Sequence, residues 1–188
     1  MTTSIATNRS QGSPRGRTGA APTVDILVCG SIDRGDDGAP LAASLLLQAD
    51  RPPNSRIRRI GQLDVDHLVS IAADGGVVIV DAATGIDPGT VLELPLRGLL
   101  GADAAVQARS SHALAIPEVI GLADMIRGRP LAGRIVVIGA RRFTLGRPLS
   151  RKVAMAVPSL AQAVRVAVER VLDAIREERA TPKPLGNR

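Results

Sequence analysis

Residues 76–81 read Gly-Val-Val-Ile-Val-Asp (GVVIVD), and this stretch decides the fold. Four consecutive apolar residues, rich in β-branched side chains and bounded by glycine and aspartate, are typical of a buried strand. Comparable runs occur at residues 24–30 (VDILVCG) and 134–139 (RIVVIG). Strands that are apolar on both faces belong to parallel sheets covered by helices on both sides. The three runs therefore indicate the centre of a largely parallel sheet.

Two shorter strands complete the predicted sheet. Residues 56–61 form one candidate, and residues 90–94 form the other, after a turn at residues 87–89 (Asp-Pro-Gly). Residues 96–113 show no strong pattern. A loop of that length in a compact domain is usually functional or disordered.

Helical patterns alternate with these strands. Pro40 lies near a helix start, and Asp64 is placed to cap a helix that reaches about residue 73. Residues 113–126 are helical in pattern, with Pro117 in the first turn. The apolar positions of the first helix recur at helical spacing: Leu41, Leu45 and Leu46.

The last part of the chain is predicted to be helical as well. Ser150 caps a short helical turn, and Pro158 opens a long helix with one apolar stripe: Leu160, Val164, Val168, Val171, Leu172 and Ile175. The alternation of strands and helices predicts the α/β class. We expect a three-layer sandwich, in which a largely parallel twisted sheet of about five strands carries helices on both faces.

Length and composition suit one domain with tails. The chain has 188 residues, of which 45% are hydrophobic, and Phe143 is its single aromatic residue. We expect a single α/β domain at residues 24–178. Residues 1–23, rich in Ser, Thr, Gly and Arg, are expected to be a disordered extension, and residues 179–188 a flexible tail.

The net charge of +6 is concentrated outside the expected core. Residues 1–23 carry +3 and residues 176–188 carry +2, so only +1 remains between them. Trp and Tyr, which stack on bases, are absent from the sequence. We therefore expect no nucleic-acid partner.

The sequence also bears on location. No uncharged apolar run approaches the roughly 18 residues that a bilayer span requires, and residues 1–23 lack the apolar core of a signal peptide. The single cysteine, Cys29, fits a reducing compartment. We expect a cytoplasmic protein with no membrane partner.

The first segment that could carry chemistry is residues 30–38 (GSIDRGDDG), directly after the first strand. Its glycines do not form a dinucleotide-binding loop, and three carboxylates would repel a pyrophosphate. Carboxylates crowded at a strand end suit a cation, which removes their mutual repulsion. The alternative is an ordinary turn in which one aspartate caps the next helix.

Two further residues follow predicted strands or loops. Asp81 ends the strongest strand, and His112 lies where the long loop meets the next helix. Taken alone, each has an ordinary explanation in capping or surface exposure. Two carboxylates with one imidazole nevertheless form an open three-ligand set that suits nickel or zinc. The other histidine, His67, lies in a polar helix start and is not expected to be a ligand.

Serine and cysteine nucleophiles are less consistent with the sequence. No G-x-S-x-G elbow occurs, and Ser111 is adjacent to His112, a poor geometry for a nucleophile and its base. Cys29 is expected to be a packed strand cysteine whose pKa is raised by nearby carboxylates, which makes the thiol inert.

Five short motifs, in order, resemble the nickel–iron hydrogenase maturation protease family over most of residues 24–175. They are Arg34-Gly35-Asp36-Asp37-Gly38, Gly61-Gln62-Leu63, Val80-Asp81-Ala82, Pro88-Gly89-Thr90 and Ser111-His112-Ala113-Leu114. The sequence departs from the family pattern at Ser31, where Asn is usual, and at Asp33, where an apolar residue is usual. Gln62-Leu63 also replaces a Gly-Gly-Thr type of loop.

The resemblance implies an endopeptidase that removes the C-terminal extension of a nickel–iron hydrogenase large-subunit precursor. In the family, cleavage follows nickel insertion, and the nickel carried by the substrate is the recognition handle. The metal-contacting and catalytic positions map onto Asp37, Asp81 and His112. Asp36 matches the other acid of the pair and is expected to be structural. No organic cofactor is implied.

Two other functions fit the same residues. One is an assembly factor that checks a nickel-loaded partner without cutting it, and the other is a metal-dependent peptidase that acts on another protein. A fold alone does not choose among them. Loss of a peptide from the partner would separate the enzymes from the assembly factor.

Overall fold

The five strands form one twisted sheet. The computed structural model describes residues 21–99 and 115–180. Its strands are β1 (Val24–Cys29), β2 (Ser55–Gly61), β3 (Gly76–Ala83), β4 (Val91–Pro95) and β5 (Gly133–Gly139). They lie in the order β2-β1-β3-β5-β4. All neighbours are parallel except β4, which is antiparallel to β5 at the edge. The predicted largely parallel sheet is confirmed.

Helices cover both faces of this sheet. They are α1 (Ala39–Ala49), α2 (Val65–Val69), α3 (Leu96–Leu99), α4 (Ile116–Arg127) and α5 (Arg151–Ala180), and a 3-10 helix (Gly35–Gly38) precedes α1. One core cluster joins β1, β3 and β5 to α1 and α5, and a second joins the same strands to the other three α-helices. The molecule is therefore the expected three-layer α/β sandwich.

The topology creates one natural binding edge. After β1 the chain moves to β2 on one side, and it then crosses back to place β3 on the other side of β1. The two connections leave β1 and β3 in opposite directions, which opens a crevice beyond their carboxyl ends. The segment at residues 30–38 and the end of β3 both lie at this crevice.

The helix predictions were partly wrong. Helix α1 forms as expected, but Leu45 and Leu46 are exposed, because its buried face is built mainly from small residues such as Ala39 and Ala43. Asp64 caps α2, which ends at Val69 rather than near residue 73.

The end of the chain also differs from the prediction. Helix α5 begins at Arg151 and contains Pro158 within it, so Pro158 does not open the helix. Both Pro158 and Ala154, whose carbonyl loses its helical donor, are exposed, so water can satisfy that carbonyl. The predicted apolar stripe of α5 is confirmed, since all six residues are buried. No helix in the described ranges is both long and apolar enough to cross a bilayer.

Candidate active site

The turn after β1 brings Asp37 back to the carboxyl end of that strand. Gly30 adopts a φ of +103°, and a side chain on it would overlap the carbonyl oxygen of Asp37. The Asp37 carboxylate accepts a hydrogen bond from the Ser31 backbone N–H at 3.0 Å and is 8% exposed. Because the Ser31 contact uses the backbone, the departure from the usual Asn does not remove it.

Replacing Gly30 by alanine is expected to lower the free energy of unfolding by more than about 1–2 kcal/mol, because strained backbone and steric overlap combine. Urea unfolding measures the change. Gly61→Ala is the matched control, since Gly61 also has a positive φ (+69°) but has open space around its Cβ position. Equal losses for the two variants would show that the close approach to Asp37 does not matter.

Asp36 is fully buried and ties the turn to a distant loop. Its carboxylate accepts hydrogen bonds from the backbone N–H groups of Arg141 (3.2 Å), Arg142 (3.0 Å) and Ser150 (2.6 Å). Burial acts to raise the pKa of Asp36, but these donors outweigh it, so the net effect lowers the pKa. The structural role expected for Asp36 is confirmed.

The lowered pKa of Asp36 makes its contribution to stability depend on pH. The contribution is present above the ordinary carboxyl pKa of about 3.9 and is lost as pH falls through the lowered folded-state pKa. Asp36→Asn should therefore cost on the order of 2–4 kcal/mol at neutral pH. The gap from wild type should shrink below about pH 4, where Asp36 of the unfolded wild-type chain takes up a proton, and should be lost as pH falls through the lowered folded-state pKa.

Denaturant unfolding across pH measures this gap. Asp50→Asn serves as the control, because the side chain of Asp50 is 83% exposed, and it should change stability by no more than about 0.5 kcal/mol. A gap for Asp36→Asn that stays constant with pH would contradict the assigned role.

Asp81 lies inside β3 rather than at its end. The strand continues for two residues beyond it, to Ala83, and Asp81 pairs in register with Val137 of β5. The side chain is 3% exposed and accepts a hydrogen bond from the Ala82 N–H at 2.8 Å. A second carboxylate is therefore held rigidly in the middle of the sheet's carboxyl edge.

Cys29, the last residue of β1, lies close to both Asp37 and Asp81. Val28 pairs with Val80, so Cys29 and Asp81 are the next residues along neighbouring strands. Burial raises the pKa of the Cys29 thiol, and the negative charges of Asp81 and Asp37 raise it further. The thiol therefore stays protonated, as expected for a packed strand cysteine. The register places Asp81 beside Cys29, and the Asp37 carbonyl lies against Gly30, so both acidic residues adjoin the end of β1.

This arrangement suits a cation. Two carboxylates close to one buried thiol repel each other unless a positive charge lies between them. Among the described residues, no three His, Cys, Asp or Glu side chains form a metal-binding group. His112 lies outside the described residues. Its approach to the two carboxylates stays a prediction.

His67 has a different role, as expected. It lies in the first turn of α2, where its backbone N–H donates to Asp64 and its Nδ1 accepts from the Asp64 backbone N–H at 3.3 Å. The reciprocal bonds form a capping box that starts the helix.

Residues 140–150 form the β5–α5 loop, which supports the acidic turn, although the sequence predicts only a helix cap there, at Ser150. Besides the bonds to Asp36, the backbone N–H of Gly146 donates to the carbonyl of Asp33 at 2.7 Å. The backbones of Arg34 and Arg147 also pair as an isolated β-bridge. These contacts use backbone groups, which every residue carries, so no side-chain pattern could have revealed them.

Solved structures of hydrogenase maturation proteases share this architecture. The [NiFe] hydrogenase maturation protease HybD from Thermococcus kodakarensis is 25% identical, with a TM-score of 0.59, and the match covers 77% of this chain and 99% of that one. The hydrogenase maturating endopeptidase HybD from E. coli is 20% identical, with a TM-score of 0.57, covering 83% and 93%.

A third match is the [NiFe] hydrogenase maturation protease HycI from Thermococcus kodakarensis, which is 20% identical with a TM-score of 0.59, covering 78% of this chain and 92% of that one. No protein-family model matches the chain, and no curated protein matches its sequence. The structures confirm the resemblance that the five sequence motifs indicate.

Proposed function

We propose that this chain is a nickel–iron hydrogenase maturation protease: an endopeptidase that removes the C-terminal extension of a hydrogenase large-subunit precursor. One observation carries the proposal. Asp37 and Asp81, the two acidic positions that the family resemblance assigns to metal contact, both adjoin the end of β1 at the crevice of a fold shared with such proteases.

The substrate is proposed to bring its own nickel. Two carboxylates and one imidazole, from Asp37, Asp81 and His112, leave coordination positions open and would hold a free ion weakly. They would instead complete the coordination of an ion that the precursor already holds. The enzyme thus uses nickel both as a recognition handle and to position the adjacent peptide bond.

The reaction is hydrolysis of that peptide bond. A water adds to the carbonyl carbon, the C–N bond breaks, and the leaving amine takes a proton. The substrate's nickel would polarise the carbonyl or the water, and Asp37 and Asp81, held at the sheet edge, would contact it. Precise positioning of the reacting groups is a large part of such catalysis.

The location and extent of the enzyme follow from the same reasoning. We place it in the cytoplasm, which agrees with its single free, buried cysteine. Residues 24–178 are the proposed peptidase domain, and they include every described residue named in this mechanism.

The direct test is incubation with a nickel-loaded large-subunit precursor, read out by intact mass. Loss of one C-terminal peptide is the expected result. A complex that forms without any change in mass would support the non-cleaving assembly factor instead. Cleavage of an unrelated protein, with the precursor left uncut, would support a peptidase of another pathway.

The two histidines should respond differently to substitution. His112→Ala is expected to abolish processing, because it removes the proposed imidazole ligand. His67→Ala should leave the processing rate nearly unchanged, because His67 only caps α2. The same mass assay measures both rates. Equal effects of the two substitutions would contradict the assignment.

A further inference from the structure

The acidic turn and the β5–α5 loop form one continuous surface beside the candidate site. We define the basic rim as residues 31–34 and 141–147. Two backbone contacts join its two parts: the Gly146 N–H donates to the Asp33 carbonyl at 2.7 Å, and Arg34 and Arg147 pair as an isolated β-bridge. The Asp36 N–H, just beyond the rim, also donates to the Arg142 carbonyl at 2.7 Å. The rim is therefore held in a fixed shape.

This surface is both apolar and cationic. Ile32 is 71% exposed and Leu145 is 75% exposed, one on each part of the rim. Four arginines accompany them, with Asp33 as the single acid: Arg34, Arg141, Arg142 and Arg147. Within residues 21–99 and 115–180, none of these four guanidinium groups is paired with a carboxylate.

Such a surface suits a particular ligand chemistry. Guanidinium groups bind carboxylates, often through two hydrogen bonds. Covering an exposed aliphatic side chain with an apolar group of a ligand lowers the free energy, because it removes apolar surface from water. Three of the four arginines lie within residues 141–147, and the fold brings Arg34 beside them.

The rim also adjoins the proposed cleavage site. The backbone N–H of Ser31, a rim residue, bonds the Asp37 carboxylate at 3.0 Å. A peptide whose scissile bond lies at Asp37 would therefore have the rim within reach on one side.

We infer that the basic rim binds the C-terminal extension of the precursor through acidic and apolar side chains near the scissile bond. This inference rests on the proposed function and names the part of the substrate that determines affinity. The carboxylates of the extension pair with Arg142 and Arg147, and an apolar side chain covers Leu145 and Ile32.

Steady-state cleavage of the precursor tests the inference. Arg142→Glu with Arg147→Glu is expected to raise KM by about tenfold, with kcat within about twofold of wild type, because exposed charges act on association rather than on the chemical step. Leu145→Ser should also raise KM. Added salt should raise the wild-type KM and narrow its difference from the double variant.

Matched controls lie near the opposite, amino-terminal ends of the strands. Arg51→Glu with Arg129→Glu makes the same change in net charge, and Met125→Ser alters a side chain that is 76% exposed, close to the value for Leu145. Both controls should leave KM unchanged.

A second substrate checks the partner's chemistry. A precursor in which Asp and Glu of the extension are replaced by Asn and Gln should be cleaved with the same raised KM by wild type and by the double variant. If the rim variants behave like their controls while wild type cleaves normally, the inference is overturned and the proposed function stands. If wild type cuts neither precursor, the proposed function fails, and this inference fails with it.

Discussion

Replacing Asp37 by asparagine is expected to abolish processing of the precursor without unfolding the protein. The amide has nearly the same shape as the carboxylate, and its oxygen can still accept the Ser31 hydrogen bond. The charge that is proposed to contact nickel is lost. The loss in rate should exceed the roughly 10- to 100-fold effect typical of residues that only support a metal ligand.

Single-turnover cleavage followed by intact mass gives the rate, and thermal unfolding reports on the fold. Asp66→Asn is the control, because Asp66 lies exposed on α2, outside the site. A wild-type rate for Asp37→Asn would remove Asp37 from the site. A large fall in melting temperature would instead show a structural role like that of Asp36.

The nickel-free precursor is expected to remain uncut even with excess enzyme. The proposed ligand set has two carboxylates and one imidazole, which is too few to fix an ion strongly without ligands from the substrate. Without that ion the peptide bond has neither a positioning group nor a Lewis acid. Intact mass after prolonged incubation measures the result.

Reloading the same precursor with nickel provides the control, and it should restore cleavage. Efficient cutting of the nickel-free form would refute recognition through a metal carried by the substrate. An ordinary peptidase acting on the same extension would then be the better description.

The central strands could be predicted from sequence because a strand that is buried on both faces consists of a continuous run of apolar residues. The runs at residues 24–30, 76–81 and 134–139 match β1, β3 and β5 to within about two residues. The stripe of α5 was equally readable, since a long helix buries a regular face.

The errors arose where local pattern competes with packing. Helix α1 packs closely against α5 through small residues, so its larger Leu45 and Leu46 are left outside. The sequence predicts a helix start at Pro158, whereas Pro158 lies within α5. It is exposed there, so water can bond the carbonyl that loses its helical donor. The residue types of a helix indicate its propensity to form, but they do not determine which of its faces a neighbouring helix covers.

The placement of Asp37 and Asp81 near the end of β1 was predictable because the carboxyl ends of neighbouring parallel strands meet at one edge of the sheet. Their role in catalysis stays a prediction. Asp36 and Asp37 are adjacent in sequence, yet the structure gives them opposite tasks. Asp36 turns towards backbone donors 105 to 114 residues away, and Asp37 faces the end of β1. The two residues differ because the β5–α5 loop packs against Asp36 and supplies its hydrogen-bond donors.

That dependence has a consequence for the nascent chain. The turn at residues 30–38 is synthesised early, but its anchor at Ser150 leaves the ribosome more than a hundred residues later. Contacts of such long sequence separation close late in folding. We therefore expect a partly made chain to lack an ordered catalytic edge. Proteolytic competence would arise only after Ser150 has been synthesised and has reached Asp36.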